Sequence, residues 1–305
     1  MRGVVPAALA VLWAIAAAAA PLPSSPAWVS ISSEELQQNY DTLWAVSDVH
    51  GRRKQLEKLL LAAGIAVRNG GEMGWKPGQG RQLFIVVGDC IRGGPDSRGV
   101  VLLLKKLQDE AVAAGSRVVV LLGNKEVSFL ADPLRLGEDE FSRFIRTMPV
   151  AAVVGSWLFA HAGYIDAHDD ADALRAYFAR ADESWSTGKY DFLRGHHSIL
   201  EYHGWWKSEH RRSKMKKRLV TLGLNGLVFG HDPDGLGAPG TLAMDADGWF
   251  TKLDTGLKTG ASHGMMLRCE VSRLVRGVQL AMSENGKSIC RALMPDGELR
   301  ELPVH

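Results

Sequence analysis

"VVLLGNKEVSFL", residues 119–130, is the stretch on which the fold turns. The apolar run Val118–Leu122 stops abruptly at Gly123-Asn124-Lys125-Glu126. A short apolar run ended by Gly and polar residues predicts a buried strand that delivers side chains at its C-terminal end. Ligand and metal sites of α/β proteins sit at such ends. Asn124 has the chemistry to ligate a metal or orient a phosphate. Lys125 is the unexpected residue, an ammonium group at the mouth of such a site.

Outward from this stretch, the N-terminal part alternates strand and helix. "TLWAVSD" (42–48), "QLFIVVGD" (82–89) and "RVVVLLGN" (117–124) are predicted as buried strands. Helical spacing is expected over 53–65 and 97–114, and "NGGEMGWKPGQG" (69–80) reads as a turn-rich connection. "AAVVGSWLFAHAG" (151–163) predicts two strands around Gly155-Ser156. A polar helical region, 171–222, is interrupted near Gly195 and Gly204, and "GLVFGHD" (226–232) is a further strand. Strands at 241–245, 248–254, 265–271, 276–283 and 288–293 follow, separated by "ADG", "NG" and "DG" turns. The expected fold class is α/β: a sandwich of two mixed β-sheets flanked by helices, with a β-rich C-terminal part.

Five strand ends carry the same kind of payload: "SDVHG" (47–51), "GDCIRGGPDS" (88–97), "GNKE" (123–126), "AHAG" (160–163) and "GHDP" (230–233). Their polar residues are Asp48, His50, Asp89, Asn124, His161 and His231. Taken singly, each has a plain structural explanation as a turn residue or a hydrogen-bonded histidine. Together, each in a short motif with a Gly that lets the backbone turn and approach closely, they suggest one site. Mixed oxygen and nitrogen ligands suit borderline divalent metals such as manganese, iron or zinc. One shared carboxylate, Asp89, can bridge two ions at the spacing used in phosphate-ester hydrolysis.

With these residues in order, the chain resembles the calcineurin-like metallophosphoesterase superfamily, and within it the bacterial and organellar Shewanella-like branch of the phosphoprotein phosphatases. The similarity runs from about Leu43 to Glu270. The family's GDxHG appears as "SDVHG", GDxxDRGPDS as "GDCIRGGPDS", GNHE as "GNKE", HAG as itself and GH(T/D)P as "GHDP". "LDTG" (253–256) matches an IDTG signature, and "ILEYHGW" (199–205) lines up with a PLWYRGW-like segment. The resemblance implies two divalent metal ions. Asp48, His50 and Asp89 would hold the first, and Asp89, Asn124, His161 and His231 the second. Relatives with GHxH add another His where this chain has Pro233, which leaves the first ion three protein ligands. The implied activity is hydrolysis of phosphate monoesters, on a phosphoprotein or a small ester, by a metal-bridging hydroxide.

The surrounding shell departs from the family. Where relatives have a proton-donating His oriented by the Asp of DRG, this chain has Lys125 and Arg92, and the Arg of DRG is Gly93. The Arg of the WYR segment is His203. Arg92 facing Lys125 would repel unless an anion lies between them, so the charge pattern still favours a phosphate. Lys125 either donates a proton to the leaving alkoxide or clamps the phosphate. Arg92 and His203 are the other candidate substrate contacts, while Arg98 is expected to pair with a local carboxylate. A pseudophosphatase that binds metal and turns over poorly is the competing expectation.

The 305 residues suffice for one large domain or two small ones. Formal net charge is +2, so composition predicts neither a nucleic-acid nor a membrane partner. The basic run "HRRSKMKKR" (210–218) reads as a solvated helix face. "GHHSILEYHGWWKSEH" (195–210) is rich in His and Trp, and either lines a substrate groove or forms core beneath a cap. At the N-terminus, "MRG" precedes the apolar stretch Val4–Ala20 and a small-residue segment ending Ser25-Pro26-Ala27. This is the layout of a signal peptide over 1–27, followed by the metallophosphoesterase domain over 28–305. An uncleaved anchor or an organelle-targeting segment are the alternatives. Export, to a periplasm or the outside, would place the chain in an oxidising compartment. Of the three Cys, Cys269 and Cys290 lie in successive expected strands and can pair, leaving Cys90 free.

Overall fold

The computed structural model describes residues 25–260, 262–274 and 290–305. The first 24 residues of the expected leader and the expected strand 276–283 lie outside them. Among the described residues no helix is long and apolar enough to cross a membrane.

The strands are β1 (Trp28–Ile31), β2 (Thr42–Val46), β3 (Ala66–Asn69), β4 (Glu72–Trp75), β5 (Gln82–Val87), β6 (Arg117–Leu121), β7 (Ala151–Val154), β8 (Trp157–Ala160), β9 (Gly226–Phe229), β10 (Ala243–Met244), β11 (Phe250–Lys252), β12 (Met266–Glu270), β13 (Cys290–Leu293) and β14 (Leu299–Glu301). They form two six-stranded mixed sheets, ordered β1-β7-β8-β9-β11-β10 and β14-β13-β12-β2-β5-β6, plus the hairpin β3-β4. In the second sheet β2, β5 and β6 run parallel, in register Leu43↔Leu83 and Leu83↔Arg117. In the first, β8, β9 and β11 are parallel.

The central strands are buried on both faces, which explains their unbroken apolar runs. Their side chains still divide by the period of two. Leu43, Ala45, Leu83, Ile85, Val87, Val119 and Leu121 meet Ala152, Val154, Trp157, Phe159 and Val228 between the sheets. Trp44, Val46, Phe84, Val86, Val118 and Val120 face outward, into the layer covered by the helices Arg53–Ala62 and Ser97–Ala113. The sandwich expected from the sequence is therefore the observed architecture.

Several local expectations need correction. The stretch 69–80, expected as a connection, contains the end of one hairpin arm and all of the other. Gly70 and Gly71 both take positive φ (58° and 93°), the geometry of a tight hairpin turn, and Met73 and Trp75 are buried beneath it. Strand β1 and the helix Ser33–Asn39 were not foreseen. The helical region breaks first at Gly188, giving Ala171–Ser186, the single turn Asp191–Arg194 and Glu209–Thr221. The run 210–218 is only partly a solvated face: Met215 and Arg218 are buried, and Arg218 binds the Asp169 carboxylate at 3.0 Å. Cys269 and Cys290 stand opposite each other on β12 and β13 and are joined by a disulfide, and Cys90 is free and buried.

Candidate metal centre

The parallel strands bring their C-terminal ends to one edge of the sandwich, and there the chain turns sharply. Asp48, His50, Asp89, Arg92 and His231 all adopt positive φ, between 48° and 67°. Each such non-glycine residue costs on the order of 1 kcal/mol, so five of them within these loops mark a site held by its surroundings. Backbone hydrogen bonds lock the turns, from Asp48 N–H to the Gly88 carbonyl (3.1 Å) and from His50 N–H to that of Asp89 (2.8 Å). Glycine is required where loops touch. A Cβ on Gly123 would lie 2.3 Å from Asp89 Oδ1, and one on Gly230 would lie 2.3 Å from Asp48 Oδ2.

Ligand atoms converge in two groups. His50 Nε2 lies 3.6 Å from Asp48 Oδ1 and 3.5 Å from Asp89 Oδ2. His161 Nε2 lies 3.2 Å from Asp89 Oδ1 and 3.1 Å from His231 Nδ1. Asp89 is thus common to both groups, Asp48-His50-Asp89 and Asp89-His161-His231, and each group is compact enough to hold an ion. The histidines are oriented from behind. His50 Nδ1 donates to the Arg92 carbonyl at 2.7 Å, and His161 Nδ1 to that of Val87 at 3.0 Å. With Nδ1 donating to these carbonyls, Nε2 points inward, where its lone pair is free to ligate once the ring is neutral. Asp48 Oδ2 also accepts the His231 amide at 2.8 Å.

This donor set fits a divalent cation. Asp48, His50, Asp89 and His161 are all buried, and their acceptor atoms face one another. Burial would raise the Asp89 and Asp48 carboxyls, but the His161 imidazole overcomes it and holds both below the usual carboxylate range. Burial would lower His161, but the Asp89 and Asp48 carboxylates carry it up to about 10. His231 falls to about 4, through burial and then through repulsion from His161. Asp89 and Asp48 thus favour a positive charge on His161, which in turn disfavours one on His231.

The remaining expected residues stand around this core. Asn124 is buried at the start of the helix Asn124–Leu130, and its Oδ1 accepts the Lys125 ammonium at 3.1 Å. Lys125 also reaches Asp89 through its backbone, whose N–H donates to Oδ1 at 3.0 Å. The His203 ring is exposed and lies 5.5 Å from that of His231. Arg92 is exposed, and no hydrogen bond or ion pair engages its guanidinium among the described residues. Its definite contact with the core is the carbonyl that orients His50. Arg98 pairs with Asp139, as its sequence context suggested. In the 195–210 segment Trp205 is core, packed on Phe229 and Phe250, while the Trp206 indole donates to Asp232 at 2.7 Å.

Two residues escaped sequence reasoning. Glu126 is fully buried and accepts three backbone N–H groups, those of Asp89 (2.9 Å), Ile91 (3.0 Å) and Gly123 (2.8 Å). Burial, then Asp89, raises its carboxyl to about 7. The available signal was its place three residues after the helix-capping Gly123, where Glu reaches back to the cap amide. Asp254 of LDTG is also buried, and burial, then Asp48, raises it to about 8.

The profile of the calcineurin-like phosphoesterase family matches residues 42–235. None of the curated proteins compared matches the chain. Among solved structures, a cold-active protein-tyrosine phosphatase from a psychrophilic Shewanella species aligns with a TM-score of 0.67 at 18% identity, covering 92% of this chain and 85% of that one. A serine/threonine phosphatase from Saccharomyces cerevisiae, similar to human phosphatase PP5, aligns with a TM-score of 0.57 at 15% identity over 99% and 91% of the two chains. At these identities the likeness concerns the fold, and it is the sandwich described above. Ligand-bearing strand ends and the profile match across most of the domain lead to one assignment: the chain belongs to the calcineurin-like phosphoesterase family.

Proposed function

We propose that the chain is a dinuclear metal-dependent phosphoesterase that hydrolyses phosphate monoesters of a phosphoprotein or a small molecule. The observation that carries this reading is the convergence of Asp48, His50, Asp89, His161 and His231, with Asp89 common to both groups. Asn124 is the remaining ligand candidate. Two divalent ions bound there, manganese, iron or zinc, would supply charge neutralisation on the phosphate and an activated water. The chain's own residues do the rest. His50 and His161 are held in one tautomer by carbonyls, and Glu126 fixes the loop that carries Asp89. Lys125 and Arg92 offer positive charge to the phosphate, His203 a ring nitrogen for a hydrogen bond, and Lys125 can pass a proton to the leaving oxygen. The leader-like N-terminus and the Cys269–Cys290 disulfide support export to an oxidising compartment.

One observation favours the second reading, a metal-binding pseudophosphatase. The Lys125 ammonium, in the place of the family's acid, is engaged by Asn124 Oδ1. Hydrolysis of an aryl phosphate with added manganese, measured beside metal content, separates the two. Metal with turnover supports the enzyme, metal without turnover supports the binding protein, and no metal contradicts both.

A further inference from the structure

Gly93 stands where the family motif carries an arginine. Its backbone takes φ 102°, which side-chain-bearing residues rarely adopt. The space where a side chain would begin is already bounded. A Cβ built there lies 3.0 Å from Lys258 Cγ, 3.4 Å from His50 Cβ and 3.6 Å from His50 Cγ. The stem of Lys258 therefore runs past Gly93 beside a histidine of the metal centre.

The turn that carries Lys258 is built to hold it there. Leu257–Thr259 form a short 3-10 turn between Gly256 and Gly260, with φ of 73° and 75°. Leu257 is buried and anchors the turn from below. Arg52, directly after the SDVHG loop, donates through Nη2 to the Lys258 carbonyl at 2.9 Å. The backbone is pinned on both sides while the Lys258 side chain is exposed. Among the described residues no carboxylate pairs with Lys258, Arg52 or Arg92, so this rim of the centre presents unneutralised positive charge.

We propose that Lys258 grips the substrate's phosphate on the Asp48–His50 side of the centre, in place of the arginine missing at position 93. The inference rests on the phosphoesterase reading and supplies a residue that reading lacks. A lysine serves this purpose as a point charge, without the two-pronged geometry of arginine. The glycine is then part of the arrangement, because a larger residue at 93 would push Lys258 aside.

The test uses the manganese-loaded full chain and inorganic phosphate as the probe, with calorimetry and metal analysis side by side. Lys258→Ala should weaken phosphate binding about tenfold, the loss of one charge-assisted contact on an exposed side chain, and leave metal content unchanged. Lys258→Arg should restore most of the affinity. Lys58→Ala, which removes an exposed lysine from the helix Arg53–Ala62, should change little. If aryl phosphate is turned over, Lys258→Ala should raise KM by a similar factor with kcat nearly kept. Phosphate affinity of Lys258→Ala equal to wild type would overturn the role of Lys258 alone. A wild-type protein that binds metal but no phosphate would overturn this inference and the phosphoesterase reading together.

Discussion

The Glu126 carboxylate accepts the backbone N–H of Asp89 at 2.9 Å, so the residue common to both candidate ligand groups is held in place by a fully buried side chain. The other oxygen of Glu126 holds the amide of Ile91, and Gly123 shares the first. Removing the carboxylate strands three buried donors. Glu126→Ala should cost about 3 kcal/mol or more in urea unfolding of the metal-free protein and weaken metal binding as well. Glu126→Gln keeps one acceptor oxygen, enough for the Asp89 and Gly123 amides, but sets its NH2 against the Ile91 amide, so it should recover part of the loss. Full stability in either variant would show that the amides find other partners.

Lys125→Ala should leave metal content intact and lower turnover. If Lys125 donates the proton, the loss should reach roughly 100- to 10,000-fold for an ester with a poor leaving group and be much smaller for an aryl phosphate. Equal losses for both substrates would point to a phosphate clamp instead.

Restoring the family's shell is constrained by the backbone. Arg92 sits at φ 65°, in the left-handed region that Asp tolerates well, so Lys125→His with Arg92→Asp is a compatible pair. Gly93→Arg is not, and should cost roughly 1–3 kcal/mol of stability in the same unfolding assay. In a pseudophosphatase the compatible pair should raise hydrolysis above wild type. In an enzyme that uses Lys125 and Arg92 it should lower it.

Lys252 gives a pH dependence of definite sign. It is fully buried, and its ammonium donates to the carbonyls of Pro233 (2.7 Å) and Ala238, bracing the loop that follows His231. Burial lowers its pKa from 10.5 to about 8, against the pull of Asp254. Between those values the unfolded chain holds more protons than the folded one, so stability from this residue rises with pH through that window. Relative to Lys252→Met, the wild type should gain stability when urea unfolding at about pH 7.5 is compared with about pH 10. A flat or falling difference would contradict the burial of a charged lysine.

The Cys269–Cys290 bond closes a loop of sequence separation 21, and its loss should cost about 3 kcal/mol. Alkylation of the native, non-reduced protein should label neither of these residues, and should reach buried Cys90 only on unfolding. Equal labelling of all three thiols in the native state would remove the disulfide.

The sandwich was legible because its central strands announce themselves. Leu83–Val87 and Val118–Leu122 are apolar runs that stop at Gly, and Asp89, just beyond the first, is the residue common to both candidate ligand groups. What stayed hidden depends on contacts distant in sequence. The hairpin arms Ala66–Asn69 and Glu72–Trp75 are short, and their glycine-rich turn reads like any loop. Glu126 was not singled out in the sequence, since its task is to satisfy backbone donors that lie mostly in another loop. Gly93 looked like a loss, and only the fold shows Lys258 filling the space beside it.

The central claim is that Asp89 bridges two ions, and metal content measured on purified protein loaded with manganese, iron or zinc tests it most directly. The account predicts about two ions per chain in wild type, about one in His231→Ala and far less than one in Asp89→Asn, with the folded state intact by circular dichroism. Metal content in Asp89→Asn equal to wild type would contradict it.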